Sequence, residues 1–177
     1  MTDLDAGPAA DRPRQIVTAA RTLLEADGPE ALTMRRLADR VGVKASSLYK
    51  HFPDKSSVVA VLAGEMLREV AGVLAAAERA APGSLSALAT AYRAYAVAHP
   101  HLYLLTMGRA LPAAGAADAA AAPLFRSAGG DEDSARAAWA FAHGMVVLEL
   151  GGRFPPGADL SAAWEAGIAA FTARTAG

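Results

Sequence analysis

Apolar residues recur at helical spacing along most of the chain, and glycine or proline interrupts the pattern at short intervals. Ile16, Ala20 and Leu23 form such a stripe near the start, and Trp164 and Ile168 belong to another near the end. Residues three and four apart share one helix face, so these stripes predict amphipathic helices. Alanine, the strongest helix former, supplies 46 of the 177 residues, and no alternating strand pattern is present. The sequence therefore predicts an all-α protein with about nine helices.

Capping and breaking residues place the first four helices. Proline is favoured in a first turn, so the first helix is expected to run from Pro13 to Asp27. Thr33 is a good N-cap for the second helix, which Gly42 ends. A short third helix is predicted over Lys44 to His51, and Asp54 can cap a long fourth helix.

The second half of the chain is expected to be helical as well. Residues 110–130 are low in complexity and predict a loop with a loose alanine-rich helix. Asp131 opens an acidic block that suits the start of the next helix, which should extend to Leu150. That helix is apolar nearly all round, so it must be covered on both sides. A last helix is expected after Asp159.

The charge distribution is uneven, although the net charge is only −1. Residues 1–11 carry three acids and no base, and are predicted to be a disordered tail. Residues 12–55 carry nine lysines and arginines against five acids, a balance of +4, whereas residues 56–177 carry eight against ten, a balance of −2. A basic module on a mildly acidic body is typical of a nucleic-acid binder with a second function.

The sequence argues against three classes of protein. It has no cysteine, which excludes disulfide scaffolds and thiolate sites. Its N-terminus lacks the pattern of a signal peptide, and no apolar run is long enough for a membrane span, so a cytoplasmic location is expected. His99 and His101 flank a proline with no further ligand nearby, so no metal is expected, and no cofactor motif is present.

Residues 31–55 carry the strongest functional pattern. Two short helices joined at Gly42, with the small Ala38 at their closest approach, fit a helix-turn-helix. The second helix of this motif enters the major groove of DNA, where hydroxyls and lysine can read base edges, while tyrosine, histidine and lysine suit phosphates. The alternative is an ordinary helical hairpin with a solvated face. The polar residues expected on the exposed face are Lys44, Ser46, Ser47, Tyr49, Lys50 and His51.

Residues 13–55 resemble the DNA-binding domain of the tetracycline-repressor (TetR/AcrR) family. The resemblance implies an all-helical homodimer that binds operator DNA and releases it when a small molecule occupies the C-terminal domain. It also implies a helix-turn-helix DNA-binding domain over residues 12–55 and an effector-binding and dimerisation domain over residues 56–177. The matching residues are Thr33, Leu37, Ala38, Gly42, Val43, Leu48, Tyr49, His51, Phe52 and Lys55.

The resemblance assigns roles to residues of the helix-turn-helix segment 31–55, which we call the reading segment because it would read the DNA sequence. By position, Thr33, Tyr49, His51 and Lys55 would contact phosphates. Arg35 could reach a base or a phosphate. Lys44 stands where the family often has a capping serine, so the third helix starts on other groups or Lys44 binds DNA directly. The residues that would face the groove are Lys44, Ala45, Ser46, Ser47 and Lys50.

Residues 84–172 resemble one C-terminal subclass of this family, the WHG-type domain. Trp139, His143 and Gly144 match its W-x-x-x-H-G pattern. Trp139 and His143 share a helix face and could line an apolar, largely uncharged effector site, or could simply pack the core. The predicted lining residues are Tyr92, Tyr95, Tyr103, Met107, Phe125, Trp139 and His143.

The sequence thus predicts a dimeric, ligand-responsive bacterial DNA-binding regulator, and a repressor before an activator or a ligand-independent regulator. Trp164, Ile168 and Phe171 are candidate dimer contacts, with an intramolecular core role as the alternative. An enzyme on a helical bundle is the remote alternative, because no catalytic constellation supports it. The expected partners are an inverted-repeat operator in double-stranded DNA, a small effector and a second copy of the chain.

Overall fold

Nine α-helices account for most of the 11–107 and 115–175 ranges that the computed structural model describes, and these ranges contain no strand. The all-α prediction is confirmed. The predicted disordered tail falls almost entirely on residues outside the described ranges. The helices are α1 Arg12–Asp27, α2 Met34–Val41, α3 Ala45–Leu48, α4 Lys55–Ala80, α5 Leu85–Ala98, α6 Pro100–Met107, α7 Ala116–Ser127, α8 Glu132–Leu150 and α9 Leu160–Thr175.

Several of these helices start with a side-chain cap at the residue that the sequence predicted. Thr33 accepts a hydrogen bond from the Arg36 N–H at the start of α2. The Asp54 carboxylate accepts from the Ser57 N–H, 2.7 Å away, at the start of α4. Asp131 and Asp159 do the same for α8 and α9. Each cap satisfies a backbone donor that a helix terminus otherwise leaves free.

Two predicted segments differ from the structure. The third helix ends at Leu48 and continues to His51 only as a turn. Pro53 disfavours helical geometry at Phe52, so the helix cannot be extended through this segment. Residues 116–127 form a regular helix, although Pro123 lies within it and a loose helix was expected.

The chain divides into two compact units. Residues 11–65 and 101–107 form the first unit, which contains α1 to α3, the first part of α4, and α6. Its core includes the fully buried Ile16, Leu37, Leu48 and Tyr103. The α6 residue His101 packs on the end of α1, where its Nδ1 lies 3.3 Å from the carbonyl oxygen of Glu25.

The second unit comprises residues 66–100 and 115–175. In it α5 packs against α7, α8 and α9, and α8 also packs against α7 and α9. The ring of Phe141 on α8 lies edge-on to Trp164 of α9, with ring centroids 5.7 Å apart. Phe141 also meets Gly167, where a methyl group would overlap with its ring. This glycine therefore sets the close approach of α8 and α9.

We expect Gly167→Ala to lower the free energy of unfolding by about 1–3 kcal/mol, because Phe141 must move to admit the methyl group. Urea unfolding measures the effect. Gly72→Ala on α4 is the matched control, since nothing lies within 4 Å of the added carbon. It should stabilise the protein by about 0.5–1 kcal/mol through helix propensity. Equal effects of the two substitutions would contradict this packing.

Candidate functional site

A tight turn at Gly42 holds α2 and α3 together. Gly42 ends α2 in the left-handed conformation, with φ 72° and ψ 36°, which glycine adopts without strain. The Val43 N–H then donates to the Ala38 carbonyl, 3.0 Å away. Leu37 and Leu48 are fully buried on either side of the turn. This geometry is that of a helix-turn-helix.

Helix α3 is short and starts without a side-chain cap. Lys44 occupies its N-cap position in an extended conformation, and its side chain makes no capping hydrogen bond. The Lys44 carbonyl accepts from the Ser47 N–H at 2.9 Å, which begins the helical turn through the backbone alone. The Lys44 ammonium is consequently not used in capping. The predicted loss of the cap is confirmed.

The predicted DNA-contacting residues share one property, which is access to solvent. Ser47 and Lys55 are half-buried, and the other eight are exposed, including Tyr49 with half of its surface accessible. An exposed tyrosine beside lysines and hydroxyls presents hydrogen-bond donors and positive charge without an acidic residue in α3. The ten residues are Thr33, Arg35, Lys44, Ala45, Ser46, Ser47, Tyr49, Lys50, His51 and Lys55.

Two of the predicted phosphate contacts already have structural partners. The Thr33 hydroxyl oxygen accepts from Arg36, which leaves its own proton available to a phosphate. The Lys55 Nζ donates to the Pro29 carbonyl, 3.1 Å away, and ties α4 to the α1–α2 turn. An ammonium has three donors, so two remain for a phosphate.

Sequence reasoning missed Arg36, which helps to fix the reading segment. Its guanidinium binds the Asp27 carboxylate at 2.6 Å, and about half of each side chain is exposed. The ion pair links the end of α1 to the first turn of α2. An acid in the last turn of one helix and a base in the first turn of the next was the available signal in the sequence.

The seven predicted effector-lining residues are divided between the two units. Tyr103 and Met107 belong to the first unit, and the other five belong to the second. Tyr92, Tyr95 and Tyr103 are buried, whereas Phe125 and Trp139 are 40% and 45% exposed. The Tyr95 hydroxyl donates to the Glu69 carboxylate at 2.7 Å.

Trp139 and His143 stack on one face of α8. Their ring centroids are 5.5 Å apart and their planes differ by 13°. Partial burial lowers the pKa of His143 from its ordinary value, so the neutral imidazole is favoured. Because Trp139 is largely exposed, this pair lies on the surface of the unit.

Two of the three predicted dimer contacts are core residues of the single chain. Trp164 and Ile168 are buried, and Phe171 is half-buried with its ring 5.9 Å from that of Phe141. Trp164 and Ile168 therefore pack in the core of the single chain, which was the alternative to a role as dimer contacts. The apolar side chains left exposed on α8 are instead Trp139, Val147 and Leu148.

A groove of about 460 Å³ opens between α5, α9 and the end of α8. Its polar centre is an ion pair in which Arg93 donates two hydrogen bonds of 2.8 Å to the Glu149 carboxylate. These bonds raise the pKa of Arg93, so its guanidinium stays charged. The guanidinium also lies over the Trp164 ring, 5.8 Å from its centroid. Sequence reasoning did not find this groove.

Across the 11–107 and 115–175 ranges, no three histidine or acidic side chains gather into a metal site. Within the same ranges, each helix is either too short or too polar to cross a membrane.

Known proteins resemble the chain along nearly all of its length. The family model described as bacterial regulatory proteins, tetR family, matches residues 16–62. The model described as tetracyclin repressor-like, C-terminal domain, matches residues 85–171, nearly the range of the WHG-type resemblance. An HTH-type transcriptional regulator of Mycobacterium tuberculosis is 32% identical over 161 residues, which cover 83% of this chain and 74% of that protein.

Solved structures resemble the fold. A Rhodococcus protein superposes with a TM-score of 0.74 at 27% identity, and the match covers 97% of both chains. A TetR variant from Acinetobacter baumannii AYE, in complex with minocycline, superposes with a TM-score of 0.65 at 22% identity over 94% of both chains.

We expect Thr33→Ala to lower the free energy of unfolding by about 1 kcal/mol and to accelerate hydrogen exchange at the Arg36 amide. The reason is the loss of the hydroxyl oxygen that caps α2. Amide exchange followed by NMR provides the measurement. Thr33→Ser keeps the oxygen and should leave both quantities nearly unchanged. An unchanged Arg36 amide in the alanine variant would show that the cap contributes nothing.

Proposed function

Because the chain belongs to the tetR family of bacterial regulatory proteins, we propose that it represses transcription by binding a palindromic operator and leaves the operator when a small ligand binds. The single observation that carries DNA reading is the exposed basic surface of residues 33–55 on a helix-turn-helix whose core residues Leu37 and Leu48 are buried. A recognition helix of this kind lies in the major groove with its N-terminal residues at the base edges.

The proposed contacts fall into two classes. Thr33, Tyr49, His51 and Lys55 hold phosphates and so fix the register of the protein on the duplex. Residues 44–47 and Lys50 face the base edges. Arg35 reaches either a base or a phosphate. The exposure of these side chains supports both assignments.

The inverted repeat in this proposal requires a dimer. A single four-residue helix makes few base contacts, and two copies related by a two-fold axis read two half-sites. The exposed apolar face of α8 supports such an assembly, because an uncovered patch of this kind marks an interaction surface. Ala140 and Gly144 on the same face are small enough to allow close helix approach.

The second unit is proposed to receive the effector. Binding changes the DNA affinity only if the ligand prefers the conformation that fits DNA poorly. A protein with the same fold, the TetR variant from Acinetobacter baumannii AYE, is in complex with minocycline, which supports a small-molecule effector for this chain. We retain residues 12–55 as the DNA-binding domain and residues 56–177 as the effector and dimerisation domain. An activator of the same fold would show the same DNA contacts and raise transcription.

The primary test is selection of bound sequences from a random double-stranded DNA library by the purified protein at moderate salt. We expect enrichment of an inverted repeat, because two copies of α3 read related half-sites. The absence of enrichment, together with no binding at low salt, would overturn the proposed function. The repeat then serves in reporter assays, where removal of the protein raises transcription if it is a repressor.

Substitutions separate the two classes of contact. Lys55→Gln should weaken binding to every sequence and reduce the salt slope of log K by about one, because one phosphate contact is lost. Lys50→Ala should cost about 1–3 kcal/mol on the selected site and relax the preference at one base position. Fluorescence anisotropy over a range of salt concentrations measures both. Arg79→Gln removes an exposed charge at the end of α4 and is the control. Wild-type binding by both variants would reject the assigned reading surface.

We expect Val147→Glu to weaken self-association by at least about tenfold, because it buries a carboxylate in an apolar interface. Val147 and Val61 are both 38% exposed. Val61→Glu on α4 is therefore the matched control and should not change the oligomeric state. Sedimentation velocity over a concentration series distinguishes the two. If the Val147 variant remains as dimeric as wild type, the α8 face is not the dimer interface.

A further inference from the structure

The groove between α5 and α9 has a polar centre whose hydrogen bonding is incomplete. The Trp164 side chain is 94% buried, and its indole N–H is one of two buried side-chain polar groups without a partner in the part of the chain that the structure describes. Buried donors in folded proteins normally have an acceptor. Trp164 also lines the groove, so a ligand oxygen that reaches the indole would supply this acceptor.

Arg93 adds further donors at the same place. It uses two of its five N–H groups on Glu149, and its guanidinium lies over the Trp164 ring. The hydroxyls of Ser86, Thr90 and Ser161 also line the groove. The polar part of the groove therefore favours a ligand that accepts hydrogen bonds.

The charge of the groove disfavours an anion as the ligand. Arg93 and Glu149 neutralise each other, and Glu165 adds a further negative charge, so the charges of the lining residues sum to −1. A ligand carboxylate bound to Arg93 would be repelled by the carboxylates of Glu149 and Glu165. An ammonium group would leave the Trp164 N–H unpaired, since it carries no acceptor. A neutral oxygen acceptor avoids both costs.

The remaining walls are apolar. Ala94 and Val97 on α5 and Ile168 on α9 line the groove beside the polar centre. Val97 is 46% exposed, so an apolar ligand chain would cover surface that water now contacts. The volume of about 460 Å³ lies within the range of small-molecule sites.

We propose that the α5–α9 groove binds an uncharged molecule in which a carbonyl oxygen is attached to an apolar chain. The carbonyl accepts from the Trp164 indole and the Arg93 guanidinium, and the chain lies along Ala94, Val97 and Ile168. The inference rests on the proposed function in one respect, which is that the bound molecule is the effector. Binding is tested without DNA, so a failure here leaves the DNA-reading proposal intact.

Three probes with eight carbon atoms each and different head groups test the chemistry. They are 2-octanone, octanoate and octylammonium, each titrated into the 15N-labelled full chain. The protein has two tryptophans, so the spectrum contains two indole N–H signals, and Trp139→Phe identifies that of Trp164. We expect 2-octanone to shift the Trp164 signal saturably. The charged probes should bind at least about tenfold more weakly, because their head groups must leave water.

A blocking variant locates the site. Ala94→Phe fills the groove from an exposed position on α5 and should abolish the shift. Ala98→Phe adds the same ring at an exposed α5 position that does not line the groove, and should preserve it. A shift that survives Ala94→Phe would overturn the location. Tighter binding of either charged probe would overturn the ligand class, and an unmoved Trp164 signal at saturating 2-octanone would overturn the site.

Discussion

The left-handed turn at Gly42 is the constraint on which the DNA-reading segment depends. It lets the Val43 N–H return to the Ala38 carbonyl, and it places Leu37 and Leu48 on the buried side of both helices. Because Leu48 takes the buried side of this short helix, Ser46 is exposed and Ser47 is half-buried. An L-residue with a β-carbon would be strained at this position, so a substitution there would disturb the orientation of α3 without touching a DNA contact.

A different constraint organises the second unit, namely the small residues between its helices. Gly167 allows the Phe141 ring to lie directly on α9, and this contact brings Trp164 beneath Arg93. The same packing covers α8 on one side only, where Ala138, Ala142 and Val146 are buried. The opposite face keeps Trp139, Val147 and Leu148 in contact with solvent. A helix that is apolar nearly all round remains half uncovered in a single chain, which is the physical basis for expecting a second copy.

Local chemistry explains what could be predicted from the sequence. The caps at Thr33 and Asp54 depend on residues three positions apart, and the turn at Gly42 depends on one residue, so both are visible in the sequence. The aromatic residues are different. Trp139 and Trp164 occupy similar apolar stripes, yet one is exposed and the other buried. Periodicity shows which residues share a face, but the neighbouring helix decides whether that face is covered. The Arg93–Glu149 pair joins residues 56 positions apart, beyond any local pattern.

The short reading helix and the uncovered face of α8 have a common energetic consequence. With four helical residues and a local charge balance of +4, one copy supplies few base contacts and a modest electrostatic attraction to phosphates. Joining two copies makes the second half-site contact intramolecular, which raises the overall affinity without any new contact. Specificity is gained in the same way, since only DNA with correctly spaced half-sites engages both copies. In the proposed assembly, DNA binding therefore depends on the dimer as strongly as on α3, and a ligand that changes the spacing of the two copies would act on both half-sites at once.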